Sequence, residues 1–305
     1  MNEEEIIRTL WSRHAQWSSA AARLKKHVSI WRAAMLMLST GGAFLQTAAA
    51  ALAPSTIASV AAVGGAVALA TVPFIAVKLL GTERVRGWLR ARSVSEGLKS
   101  EVFRFQAGAA PYDGEGRASK LVEAGRNLEV WVEALAVDLA SVEARPSVPP
   151  GRLDPEGYVK LRVNDQIDGY YRPRARWNAN RARLFRALEM TTAFMAAALG
   201  ALMAALQLGA GASGGGRGGE WVAVITTIGG ALAAHAAANR YDEQARIFFA
   251  TARRLQDVRD DWIAKGRPTA SEPWSELVNA CEEAISVENR SWMAKLDPEE
   301  KALRT

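Results

Sequence analysis

Four long stretches of the chain contain no Asp, Glu, Lys or Arg, and they fall into two pairs: Ala33–Ala53 with Ser55–Val77, and Met190–Gly216 with Trp221–Asn239. A helix needs about 20 apolar residues to cross the hydrocarbon of a bilayer. A water-soluble helix of that length would carry a charged face, and these stretches carry none. The pattern predicts four transmembrane helices, over about 33–53, 55–77, 190–212 and 221–239, arranged as two hairpins.

Charge sets the expected orientation. The chain has 38 Lys and Arg against 32 Asp and Glu, a net charge of +6. The turn at Pro54 holds no basic residue, and the turn Gly211–Glu220 holds only Arg217. The other basic residues lie at the opposite ends of the spans, and Lys and Arg near span ends favour the cytoplasmic face. Both termini and the central segment are therefore expected inside the cell, with two short turns outside. The acidic start, Met1–Glu5, lacks the basic n-region and early apolar core of a signal peptide. A single cysteine, Cys281, cannot form a disulfide or a thiolate metal cluster within one chain.

The two halves resemble each other. His14-Ala15-Gln16-Trp17 followed by Ala22-Arg23-Leu24 corresponds to Arg174-Ala175-Arg176-Trp177 followed by Ala182-Arg183-Leu184. Gly64-Gly65-Ala66 corresponds to Gly229-Gly230-Ala231, and Ser141-Val142-Glu143 to Ser286-Val287-Glu288, each of the last pair followed by Arg (Arg145, Arg290). The matches keep their order while their offsets vary, as insertions in loops produce. Each half begins and ends on the same side, so the repeats are parallel rather than the inverted repeats of many transporters.

The expected architecture is an all-α integral membrane protein with four transmembrane helices in two parallel-repeat hairpins, whose long helices extend into a cytosolic helical bundle. The first unit covers 1–146, with cytosolic helices over 4–26, 83–105 and 120–142. In the last of these, Leu121, Leu128, Trp131, Leu135 and Leu139 recur at helical spacing. A linker, 147–157, contains Pro149, Pro150 and Pro155. The second unit covers 158–305, with cytosolic helices over 158–171, 174–189, 241–265 and 275–296. Pro173 is expected to end or kink the first of these, because proline lacks the amide donor. Large residues such as Trp11, Trp17, Trp88, Trp177, Phe248, Phe249, Trp262, Trp274 and Trp292 should bury in the bundle, with Trp31 and Trp221 candidates for the interfacial belt.

The spans are rich in small residues, which let membrane helices approach closely. Three stripes repeat at four-residue intervals: Ala58, Ala62, Ala66, Ala70; Ala193, Ala197, Ala201, Ala205, Gly209; and Gly230, Ala234, Ala238. Gly41, Gly42, Gly64, Gly65, Gly229 and Gly230 are the candidate packing positions. Packing inside a four-helix unit and a subunit interface around a pore both fit. Gln46 and Gln207, near-equivalent in the two halves, and His235 and Glu189, near the inner boundary, are the candidate polar or pore residues, since polar groups at membrane depth are rare and often functional. Glu189 is expected to pair with Arg186 or Arg240. The dense series Arg172, Arg174, Arg176, Arg181, Arg183, Arg186 lies beside a span, where it suits anionic headgroups better than nucleic acid. Metal-ligand spacings, phosphate loops and nucleophile elbows are missing from the sequence. An enzyme, a cofactor and a metal site are accordingly not expected.

A polar helix bearing Trp and Arg-Leu (Trp17, Arg23-Leu24; Trp177, Arg183-Leu184), a two-span hairpin with a short outer turn, a charged helix and a last helix with Ser-Val-Glu-x-Arg resembles the SLATT superfamily, also described as DUF4231-type two-transmembrane proteins, here in tandem. The resemblance implies a bacterial inner-membrane effector of conflict or antiphage systems that forms pores or perturbs the membrane. It also implies a trigger from a partner protein that makes or senses a nucleotide signal. The expected function is an oligomeric ion channel or pore built from several copies of the chain. The alternative is a non-conducting membrane scaffold whose cytosolic bundle docks a partner.

Overall fold

The computed structural model describes residues 2–130, 142–144, 146–210 and 219–296, with side chains at 207–210 and 288–296 left aside. Every element among the described residues is helical. Helix α1 runs unbroken over Glu3–Leu52. The Asn2 side chain caps its start by accepting from the Glu5 amide at 2.8 Å, and Glu3, Glu4 and Glu5 meet the positive end of the helix dipole. A turn at Ala53-Pro54 follows, and Ser55 caps α2 (Thr56–Phe74) by accepting from the Ala58 amide at 3.1 Å. Four helical stretches are long and apolar enough to cross a membrane: Glu3–Leu52, Thr56–Leu79, Pro155–Leu206 and Gly219–Ala264.

Two stretches are wound as π-helix. The first, π1 (Ile75–Leu79), follows Pro73, and the Leu80 amide donates back to the Ile75 carbonyl at 3.0 Å. The second, π2 (Val159–Tyr171), follows a single turn, Pro155–Tyr158, capped by Asp154. It leads directly into α5 (Arg172–Ala210), with the Arg172 amide donating to the Ile167 carbonyl. Pro173 therefore neither ends nor interrupts the helical run. The missing proline amide removes a bond only from the first turn of α5, and the wider π-turn ahead relieves the usual clash with the preceding carbonyl.

The remaining helices are α3 (Thr82–Gln106), α4 (Arg117–Val130), α6 (Gly219–Asn239), α7 (Tyr241–Ala264) and α8 (Ser271–Leu296). The helix expected over 120–142 corresponds to α4 as far as Val130. Trp131, Leu135 and Leu139, and the turn 211–218, lie outside the described residues.

The chain divides into two compact units, each assembled from both halves of the sequence: a charged unit (1–26, 82–176, 245–305) and a four-span unit (27–81, 177–244). In the charged unit, Leu98, Val102, Leu121, Val163, Ile167, Leu255, Val278 and Cys281 are fully inaccessible. The start of α8 is tied to the loop after α3. Trp274 Nε1 donates to the Ala107 carbonyl at 2.8 Å, and the Ala110 amide donates to Ser275 Oγ at 2.9 Å. The linker is fastened too, with the Leu153 amide on the Gln106 carbonyl and Gln106 Nε2 on the Pro150 carbonyl. Trp11, Trp17, Trp262, Trp274 and Phe248 are buried as expected. Trp177 and Phe249 are exposed instead. Phe249 follows Phe248 by one residue and so faces the other side of α7. Trp177 carries the Arg181 guanidinium on its ring. Trp292 lies outside the described side chains.

In the four-span unit the backbones of α1 and α2 approach at Gly42 and Gly65. A Cβ at Gly65 would lie 3.0 Å from the Gly42 carbonyl and 3.1 Å from the Gln46 amide nitrogen. The packed face of α2 is Ala58, Ala62, Gly65 and Leu69, while Ala66 and Ala70 are exposed. Four residues turn an α-helix by about 400°, so a strict four-residue stripe drifts about 40° at each step and leaves the interface. The outward face carries Val60, Val63, Val67 and Val77, all more than half exposed, as a lipid-facing surface should be.

Gly65→Val should lower the stability of the detergent-solubilised protein by about 1–3 kcal/mol, because the new side chain meets backbone rather than a movable group. Gly41→Val, at a position with nothing within 4 Å of an added Cβ, should leave the thermal unfolding midpoint nearly unchanged.

Candidate functional site

Among the described residues, the charged unit encloses one ion pair with both side chains at 0% exposure, Arg162 on π2 and Glu282 on α8. The pair is bidentate, Nε to Oε1 at 2.9 Å and Nη2 to Oε2 at 2.7 Å. Tyr158 donates to Oε1 at 2.9 Å and Ser100, on α3, to Oε2 at 2.8 Å. The carboxylate thus receives four hydrogen bonds from three elements. The guanidinium lies over the Phe103 ring at 4.6 Å, and its Nη1 has no acceptor among the described residues.

Burial alone would push the Glu282 carboxyl up, but Arg162 and the donated hydrogen bonds outweigh it and hold the group below its ordinary 4.5. Burial opposes the Arg162 charge, yet Glu282 holds its pKa above the ordinary value. Burial and Glu282 together push the Tyr158 hydroxyl well up and the neighbouring Cys281 thiol to about 12, so both stay protonated. Around this centre sit Glu96 and Lys99 of α3. His14 Nδ1 meets the Ser95 carbonyl at 2.8 Å, and burial lowers its pKa. Glu101 is already engaged by Arg104 at 2.8 Å and by the Tyr112 hydroxyl at 2.6 Å. Among the described residues no His, Cys, Asp or Glu groups are placed to hold a metal ion. The arrangement is suited to holding helices in register.

In the four-span unit, Gln46 Nε2 donates to the Ala62 carbonyl at 2.9 Å, which ties α1 to α2. Gln207 lies in α5, but its side chain falls outside the described residues. His235 stacks on Phe185 at 5.0 Å, with Nδ1 3.3 Å from the Arg32 carbonyl and Nε2 3.4 Å from the Tyr241 hydroxyl. Facing a carbonyl, Nδ1 must carry the proton, so Nε2 accepts. Glu189 is half-buried. The two arginines expected to pair with it are engaged elsewhere, Arg186 with Asp242 at 2.6 Å and Arg240 with Glu243 at 3.7 Å. Arg240 is the turn residue between α6 and α7, at φ 48°, and its side chain pairs onto α7.

Of the six glycines, Gly42 and Gly65 face each other, and a Cβ at Gly229 would meet Thr192 Oγ1 at 2.9 Å. Gly64 makes only an ordinary contact with Leu45, and Gly41 and Gly230 face open space. Of the repeat signature, Trp17 is buried and donates to Glu129 at 2.9 Å, and Glu129 also pairs with Arg13. Arg23 is exposed, and Arg183 donates to Asn180.

Residues 158–292 match the family described as SMODS and SLOG-associating 2TM effector domain 1, SLATT_1. Residues 15–120 match DUF4231, a family of unknown function. The chain is a SLATT-type two-transmembrane domain protein. No curated protein and no solved structure matches it. The SLATT_1 match contains α5 and α6 with the charged helices around them, and the DUF4231 match contains most of α1, α2 and α3. With four candidate spans, this SLATT-type protein is a multi-pass membrane protein.

The centre on Arg162 and Glu282 is not among the residues that the sequence singled out. The one local hint is that Arg162-Val163 falls in a run of pairs at four-residue spacing with Tyr158-Val159, Gln166-Ile167 and Tyr170-Tyr171; Glu282, beside Glu283, carries none.

Breaking the pair from one side, by Glu282→Leu or by Arg162→Met, should cost about 3–5 kcal/mol of stability. The double variant should recover most of it, since an apolar pair of similar volume fills the site without a lone charge. The pH dependence follows from the depressed Glu282 carboxyl. It binds fewer protons folded than unfolded near its ordinary pKa of 4.5, so its stabilisation is present above that pH and is lost as pH falls through the lower folded value. Thermal midpoints of wild type and Glu282→Gln, compared from pH 7 down to pH 3, should converge on acidification. Parallel curves would contradict this assignment.

Proposed function

We propose that this protein is a membrane effector of a bacterial defence system that assembles as a homo-oligomer and conducts ions across the inner membrane, with both termini in the cytoplasm. The observation that carries the reading is the exposure of small-residue stripes in the four-span unit. Ala193, Ala197, Ala201 and Ala205 on α5, and Gly230, Ala234 and Ala238 on α6, all face outward. Small residues that no helix among the described residues covers, taken over one or two turns before the stripe drifts aside, are the surface a second copy needs for close approach. Four spans enclose no wide conduit, so several chains would surround one.

The amide of Gln46 is already bonded within its own hairpin, so the proposed lumen is assigned to the α5 and α6 faces, with Gln207 on α5 near its outer end. The protein acts by altering permeability and performs no catalysis. The matching family's description, SMODS- and SLOG-associating, supports a trigger delivered by a partner protein linked to a nucleotide signal. Basic residues near the span ends support the cytoplasmic placement of the termini.

Purified protein in sealed liposomes should dissipate an imposed potassium gradient, and induction in cells should collapse membrane potential. Ala197→Leu combined with Ala201→Leu should abolish chemical cross-linking into oligomers and the ion flux together while leaving helical content intact. Liposomes that stay sealed with abundant inserted, cross-linkable protein would instead support the scaffold reading, in which the charged unit docks a partner.

A further inference from the structure

Buried positions along π2 recur as adjacent pairs every four residues: Tyr158 with Val159, Arg162 with Val163, Gln166 with Ile167, and half-buried Tyr170 with Tyr171. An α-helix cannot hold such a series on one face. Each four-residue step over-rotates by about 40°, so the last pair would lie about 120° from the first. The π-winding of Val159–Tyr171 turns less per residue and so opposes that over-rotation. Both ends are then docked at once. At one end Arg162 is clamped by Glu282. At the other, Tyr171 packs against Phe248 at 6.1 Å, while Tyr170 is held by the Arg92 guanidinium at 2.7 Å and packs against Phe248 at 6.2 Å.

We propose that Val159–Tyr171 is a two-state register element, held underwound by its two docking points and winding to α-helix when either is released. Release of the arginine end swings Arg162 and Val159 off the core. Release of the tyrosine end turns the helix that continues, without a break, as α5. The element belongs to the charged unit and does not depend on whether the spans conduct.

Two experiments test it. In a Cys281→Ala background, which removes the single cysteine, Val159→Cys and Lys160→Cys are labelled with a water-soluble maleimide, with and without Glu282→Gln. In the parent, Val159→Cys should be protected and Lys160→Cys reactive. With the clamp broken, labelling at Val159→Cys should rise about tenfold and labelling at Lys160→Cys fall, as one residue of register is lost across the stretch. Unchanged rates, or a rise at both positions from local melting, would overturn the proposal.

The second experiment leaves the clamp intact. Deleting Gly169, which is exposed, turns the twelve residue steps from Val159 to Tyr171 into eleven. Eleven residues over three turns is a repeat that an α-helix accommodates. The deletion should therefore preserve the thermal midpoint and keep both ends docked. In an ordinary helix the same deletion would displace one end by about 100° and destabilise the fold. A large fall in midpoint would refute the register element even if the first experiment were frustrated by misfolding.

Discussion

The charged unit depends on a carboxylate and a guanidinium removed entirely from water. Moving two such ions into a protein interior is costly, and their attraction offsets the cost only if the geometry is good and the remaining hydrogen-bonding capacity is used. Glu282 meets that condition, with donors from Arg162, Tyr158 and Ser100. These donors belong to π2, the turn before it and α3. A single side chain on α8 thus fixes three other segments, and the second half of the chain is anchored to α3 of the first. An apolar contact would be non-directional and would tolerate a slipped helix. A bidentate pair does not, and its guanidinium is carried by π2.

The four-span unit is held by different physics. Between helices in lipid there is little hydrophobic drive, so close backbone approach and polar contacts between helices carry the association. Gly42 against Gly65 supplies the first, and Gln46 on the Ala62 carbonyl the second. The hairpins also meet within this unit, through Phe44 and Trp221 at 6.0 Å and through Arg32 on Asn239. What remains outward is of two kinds. One is large apolar residues such as Val60, Val67 and Phe194, which suit lipid tails. The other is the alanine and glycine stripes of α5 and α6, which suit another helix.

The helical class and the spans are legible because they rest on one strong signal, length without charge. Side-chain geometry was less legible, for identifiable reasons. The four-residue stripe through Ala66 and Ala70 follows a spacing that the helix itself does not keep. Proline normally removes a hydrogen bond, so an end or a kink is the expectation at Pro173, yet the preceding π-turns absorb it. Glu189 is expected to pair with Arg186, one turn away on the same helix, or with Arg240, yet these arginines are taken by Asp242 and Glu243 at the start of α7. Arg162 and Glu282 are separated by 120 residues, and nothing local in a sequence reports a contact of that range.

The two hairpins also differ between their first and second spans in a way that bears on motion. The first span of each continues a charged helix with no interruption, through α1 and through α5. The second span of each ends in a break, at Leu80-Gly81 after π1 and at Arg240 with its left-handed φ of 48°. A rotation imposed on the charged end of α1 or α5 passes along continuous backbone hydrogen bonds, whereas at Gly81 and Arg240 it can be absorbed by a change of φ and ψ at one or two residues.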